Sequence, residues 1–329
     1  MRIPHIARVW HEILRRERRP VRTETTSDCS PHDRPVFVLT QHRSGGTLLS
    51  RLLNCHDELV LWGEHAGFLD GFAEAHVQLE RDVEWMPQRS ICELRRYVRA
   101  DRLADVQFRP WMLPFSPADF RRECRTMLLS LFTRGLRPEQ RWGFKEIRYH
   151  RPELLNFLHQ LFPRAQFVLL HRDPADLCVS SLLVPGTLEP LLADGIGRDE
   201  GAFLRRVDDE LHQILTMRRN WTEGLAATGA QYIPLQYEEI VSDMAGQMAR
   251  LFEFLGLSLD LIVRERMRVS IRSIAGATPK ETTAMSVDRG YLTASMIREA
   301  VERRLPELRA TLTQKGAGKR SVCPPRIDA

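Results

Sequence analysis

Two stretches of this 329-residue sequence carry side chains whose types and spacing could hold an anion. The first is the loop Gln41-His42-Arg43-Ser44-Gly45-Gly46-Thr47, which follows the apolar run Val36 to Leu39 and precedes Leu48, Leu49, Leu52 and Leu53 at helical spacing. Gly45 and Gly46 let the backbone turn tightly, so that loop amides and a helix N-terminus surround an anion while Ser44 and Thr47 add hydroxyl donors. A plain strand-to-helix turn would use the same residues. The Walker pattern G-x-x-x-x-G-K-[ST] is absent, so the lysine and magnesium ligand of an ATP or GTP enzyme have no counterpart, and the cation present is Arg43.

The second stretch is Phe167-Val168-Leu169-Leu170-His171-Arg172-Asp173-Pro174, with Ser180 two helical turns further on. It places a guanidinium at the carboxyl end of a strand, where ligands of parallel sheets bind, and an arginine there can grip a phosphate through two parallel hydrogen bonds. A surface arginine paired with Asp173 or Asp176 is the competing reading.

Together these stretches resemble the sulfotransferase superfamily. Arg43-Ser44-Gly45-Gly46-Thr47-Leu48-Leu49 is similar to its 5′-phosphosulfate-binding motif, and Arg172 through Ser180 to its 3′-phosphate-binding motif, in matching order and interval. Leu235-Gln236-Tyr237-Glu238-Glu239-Ile240 resembles a later segment in which the tyrosine lies near an adenine. The resemblance spans roughly residues 35 to 315 and implies 3′-phosphoadenosine-5′-phosphosulfate (PAPS) as sulfuryl donor, PAP as product and no metal. It implies that Arg43, Ser44, Gly45, Gly46, Thr47, Leu48, Arg172, Ser180 and Tyr237 bind the donor, and that Arg43 is also a catalytic cation that stabilises the leaving group. Ser273 and Lys280 match more loosely a segment that closes over the 3′-phosphate.

Within the superfamily, Arg51 through His65 is most similar to the tyrosylprotein and carbohydrate branches, where the glutamate matching Glu64 is the general base. A carboxylate placed after a short apolar strand suits removal of an acceptor proton, and burial against Trp62 or Phe68 would raise its pKa towards working pH. Without the motif, Glu64 reads as a surface or helix-capping residue. Lys145, in Gly143-Phe144-Lys145-Glu146-Ile147-Arg148, follows a short apolar edge and is similar to a family lysine that stabilises the leaving phosphate; a surface lysine is the alternative, and Glu146 reads as its pairing partner. The implied reaction is transfer to an acceptor hydroxyl, a peptide tyrosine first and a carbohydrate or lipid-linked glycan next. A P-loop kinase and a non-catalytic nucleotide-binding module are the readings from other classes.

These residues need a scaffold that brings strand ends together. Val36 to Leu39, Gln166 to Leu170 and Gln231 to Leu235 read as buried strands, each followed by a helical pattern, with Leu154 to Leu161 as a further helix. Alternating units of this kind predict an α/β fold: a P-loop-like three-layer sandwich with a central parallel sheet and a helical insertion at about 72–141. The sulfotransferase-like domain is expected over 35–315, a mobile loop over 185–200 and a flexible tail over 316–329. Residues 1–34 read as a basic amphipathic helix, with Ile6, Val9, Trp10, Ile13 and Leu14 on one stripe, followed by a linker. Residues 3–19 are thus a candidate docking element for a membrane surface or partner, and a homodimer is a separate expectation.

The net charge of +5 is almost all arginine and suits an anionic ligand, but it is too small to argue for nucleic acid. Six scattered cysteines form no C-x-x-C pair and no zinc pattern with histidine, and no apolar run approaches a bilayer span. A cytoplasmic protein, peripheral at the inner membrane face if residues 3–19 dock there, is expected.

Overall fold

The computed structural model describes residues 30–85, 115–184, 199–276 and 293–317, with side chains at 82–85, 272–276 and 312–317 outside the description. Five short strands, β1 (Val36–Thr40), β2 (Leu59–Trp62), β3 (Arg141–Glu146), β4 (Gln166–His171) and β5 (Gln231–Gln236), make one sheet in the order β2-β3-β1-β4-β5. Every pairing is parallel, and the register sets Leu39 beside Glu146 and Leu169 and sets Thr40 beside Leu170. The carboxyl ends of β1, β3 and β4 therefore lie side by side, which is where the loops that follow them must converge.

Strand alternation divides the apolar residues between two faces. Phe37, Leu39, Trp142, Phe144, Phe167 and Leu169 enter one core with α2 (Leu69–Trp85), α3 (Pro117–Phe132), α4 (Pro152–Leu161) and α6 (Glu200–Thr228). Val36, Val38, Leu61, Val168 and Leu170 enter a second core with α1 (Gly46–Leu53), α8 (Met244–Leu255) and α9 (Leu261–Gly276). The result is the three-layer α/β sandwich expected from the strand-helix units. A third core joins α5 (Pro174–Leu182) and α6 to α10 (Ala294–Ala317), and short α7 (Tyr237–Ser242) follows β5 directly.

One sequence expectation changes, that for Lys145. Within the stretch read as a helical insertion, α2 begins at Leu69 and α3 ends at Phe132, and β3 opens at Arg141. Arg141 is buried, and its guanidinium donates to Arg34 O, Leu255 O and Gln166 Oε1, which satisfies its hydrogen-bond donors inside the sheet layer. Lys145 lies within β3, between β2 and β1, so it occupies an interior strand and not an edge. Residues 86–114 of the insertion, residues 3–19, most of the 185–200 loop and the tail beyond residue 317 lie outside the described residues. No helix among the described residues is long and apolar enough to cross a membrane.

Candidate active site

The loop after β1 is built around hydrogen bonds that turn some of its polar side chains inward. Ser44 is fully buried, donates from Oγ to Gln41 O at 2.7 Å and shares a short contact with Thr40 Oγ1, so its hydroxyl shapes the loop and does not face the cavity expected of it. Arg43 adopts a left-handed backbone (φ 64°), and its Nε donates to Ser180 Oγ on α5 at 3.1 Å. Gly45, also left-handed (φ 91°), begins α1 with no side-chain cap, leaving the first-turn amides of Gly46, Thr47 and Leu48 free of one. The Leu48 side chain itself packs against the second core.

Asp173 caps the helix after β4, accepting from Ala175 N–H and Asp176 N–H, and Pro174 takes its first turn; this combination fixes where Arg172 emerges. Arg172 Nη1 donates to Arg43 O at 2.8 Å, and its guanidinium lies 4.9 Å from the Tyr237 ring centroid. The alternative pairing with Asp176 is present but long, at 3.9 Å. Tyr237 in turn covers Gly45: a Cβ there would fall 2.2 Å from its ring. The segments that follow β1 and β4 thus touch each other twice, through Arg43–Ser180 and Arg172–Arg43.

Across the same cavity, of about 310 Å³, stand Glu64 and Lys145, joined in a short ion pair. Arg43, Thr47, Arg172 and Ser180 line it with them. Glu64 is not buried against Trp62 or Phe68, which are themselves exposed; its side chain is 33% accessible and is held by Lys145 and, at 3.4 Å, by Arg148 Nη1. The strand ends two residues before Glu64, so the carboxylate rides on a loop instead of sinking into the apolar layer. Glu146 does not pair with Lys145 as its sequence position suggested; alternation along β3 sends the two to opposite faces, and Glu146 pairs with Arg148 at 2.8 Å. Ser273 lies near the end of α9, where side chains are outside the description, and Lys280 is outside the described residues.

The roles of three residues escaped the sequence reading. Arg218, on α6, donates from Nε to Gln41 Oε1 at 3.1 Å and from Nη2 to Arg172 O in a short contact, tying together the segments that follow β1 and β4. Burial draws its pKa down to about 10, which leaves it protonated at neutral pH. Gln41 completes the tie by donating from Nε2 to Ile214 O. Arg148 could have been sought as a further cation near Glu64, because it sits three residues beyond Lys145 in the same stretch.

The cavity is electropositive. Three cations, Arg43, Lys145 and Arg172, face one cavity beside an uncapped helix turn, and Nε of Arg172 is buried without a hydrogen-bond partner among the described residues. Such a set fits phosphate and sulfate groups.

The sulfotransferase family model matches residues 35–260 of this chain. Among curated proteins none matches it significantly. Solved structures with partial likeness include sulfotransferase STF9 from Mycobacterium avium, at 16% identity and TM-score 0.43 over 84% of this chain and 77% of that one. The sulfotransferase domain from the curacin biosynthetic pathway gives 15% identity and TM-score 0.42 over 70% of this chain and 76% of that one. Mouse sulfotransferase SULT7A1 complexed with PAP gives 13% identity and TM-score 0.40 over 76% and 69%.

Proposed function

The chain belongs to the sulfotransferase family and is a PAPS-dependent enzyme, and on that premise we propose that it sulfates a tyrosine hydroxyl of a peptide with Glu64 as general base. The observation that carries the proposal is Glu64 paired with Lys145 in the cavity that Arg43, Thr47 and Arg172 line.

In this reading Gly45, Gly46, Thr47 and the amide of Leu48 hold the 5′ end of the donor, with Ser44 bracing the loop beneath them. Arg172 and Ser180 hold the 3′-phosphate, and Tyr237 borders the adenine. PAPS, when bound, supplies a sulfuryl group on a phosphate leaving group. Glu64 takes the proton of the acceptor hydroxyl as that oxygen bonds to sulfur, and Arg43 and Lys145 present positive charge where the phosphate oxygen gathers negative charge as its bond to sulfur breaks. A phenol, with an ordinary pKa of about 10, asks less of an exposed carboxylate surrounded by cations than a sugar hydroxyl does.

The test is transfer of labelled sulfate from PAPS to parallel panels of tyrosine peptides and glycans. Tyrosine peptides should be labelled, and Glu64→Gln should lower the rate by roughly 10²–10⁴-fold, with PAP affinity by calorimetry nearly intact. Labelling of glycans alone removes the tyrosine assignment. Undiminished transfer by Glu64→Gln removes the base.

A further inference from the structure

The geometry points to Glu146 as the residue that positions Glu64, an inference that rests on the base assignment above. Glu64 rides on the segment between β2 and α2, and no strand continues through it. Ala66 and Gly67 are both left-handed (φ 61° and 69°), a conformation that alanine adopts only when its surroundings impose it. The loop therefore needs an outside anchor.

Glu146 supplies one. Its side chain is wholly buried at the end of β3, and Oε2 accepts the N–H groups of His65 and Gly67, each at 3.1 Å, with His65 Nδ1 at 3.2 Å. Oε1 accepts the N–H groups of Ile147 and Arg148 at 2.9 and 3.3 Å and Nη1 of Arg148 at 2.8 Å. Burial alone would raise the carboxyl pKa, but the hydrogen bonds from His65, Ile147 and Arg148 outweigh it and hold Glu146 ionised well below the usual carboxylate range. Both oxygens are thus committed acceptors, one for the loop that follows Glu64 and one for the chain that follows β3.

The neighbours of Glu146 close the device. Lys145, one residue earlier on the strand, grips one oxygen of Glu64, while Arg148, lying over Gly67 with its Cδ 3.1 Å from where a Cβ would be, reaches Glu64 and Glu146 with the same nitrogen. One end of one strand thereby sets both the height of the Glu64 backbone and the direction of its carboxylate.

Glu146→Gln keeps the shape but must turn an amide N–H₂ towards either the two loop amides or Arg148. A loop shift of about 1 Å costs on the order of 100-fold in rate, so kcat should fall roughly 10- to 100-fold while KM for PAPS and PAP affinity stay near those of the unmodified enzyme. Because Glu146 acts through Glu64, Glu146→Gln added to Glu64→Gln should cost little beyond Glu64→Gln alone. Glu146→Asp, which keeps the charge, should fold and recover part of kcat, and it serves in both backgrounds if the glutamine variant does not fold. Unchanged kcat in these variants, multiplicative losses in the double variant, or PAP affinity falling in step with kcat would each overturn the positioning role. The rate of Glu64→Gln alone decides the base assignment separately.

Discussion

At the scale of single residues, the end of the cavity proposed to hold the donor depends on contacts closer than side chains normally permit. Tyr237 lies against Gly45 and beneath Arg172, so the ring closes the loop from one side and steadies the guanidinium from the other. Gly45→Ala would strain a left-handed residue by about 1–2 kcal/mol and push the ring away. We expect PAP affinity, measured by calorimetry, to fall by at least about tenfold, since each charge-assisted hydrogen bond disturbed is worth about 1.5–3 kcal/mol. Adding Tyr237→Ala should relieve the overlap without restoring affinity. Residue types were readable here because glycine and arginine mark turns and anions; that Ser44 would bond inward, or that Arg43 would reach Ser180, depends on φ values and distances that a linear pattern does not contain.

At the scale of elements, α6 does more than cover a core. Its apolar residues Phe203, Val207, Leu211, Ile214, Met217, Trp221 and Leu225 recur at helical spacing, and Asp199 and Gly229 cap its ends. Such a helix is easily recognised, but Arg218 on it looks like one more surface charge in an arginine-rich chain. Its partners, Gln41 and the carbonyl of Arg172, are on strand-end loops far away in sequence, so no local signal marked it. Arg218→Met should retain most of the packing while untying the loops, and we expect PAP affinity to drop roughly tenfold or more with the loss of these charged hydrogen bonds. Arg218→Lys should not rescue it, because an ammonium cannot span both acceptors as the fork does; wild-type affinity in either variant would show that the tie is dispensable. The burial of Arg141 is hidden for a related reason: the oxygens that accept from its guanidinium, Arg34 O, Leu255 O and Gln166 Oε1, lie far from it in sequence.

At the scale of the molecule, acid should loosen the fold through buried histidine. Burial, with Arg218 nearby, draws the pKa of His171 down to about 4, and burial also lowers those of His76 and His159. Above pH 6.5 the imidazole of His171 is neutral whether the chain is folded or not, so it adds no pH dependence there. As pH falls from 6.5 towards 4, the unfolded chain takes up a proton that the folded chain refuses, and stability drops. For His171 alone the loss at pH 5 is about 2 kcal/mol, measurable as a lower urea midpoint than at pH 7.5. A His171→Asn variant should lose most of that difference, and an equal slope in both proteins would exclude His171 as its source. Glu146 acts in a lower window: its contribution is present above the unfolded carboxyl range, near pH 4, and disappears as pH falls below it.

The sheet order has a consequence for how the chain acquires its shape. β1, entirely apolar from Val36 to Leu39, is flanked by β3 and β4, which follow it only after α1, β2, α2 and α3 have intervened. During synthesis its two unpaired edges therefore wait for partners that leave the ribosome much later, a delay in which an exposed strand is prone to aggregate or to recruit a chaperone. Because the three strand ends behind the cavity meet only once β4 has docked, no early folding intermediate can grip the donor. Nucleotide should therefore slow unfolding without hastening the first collapse.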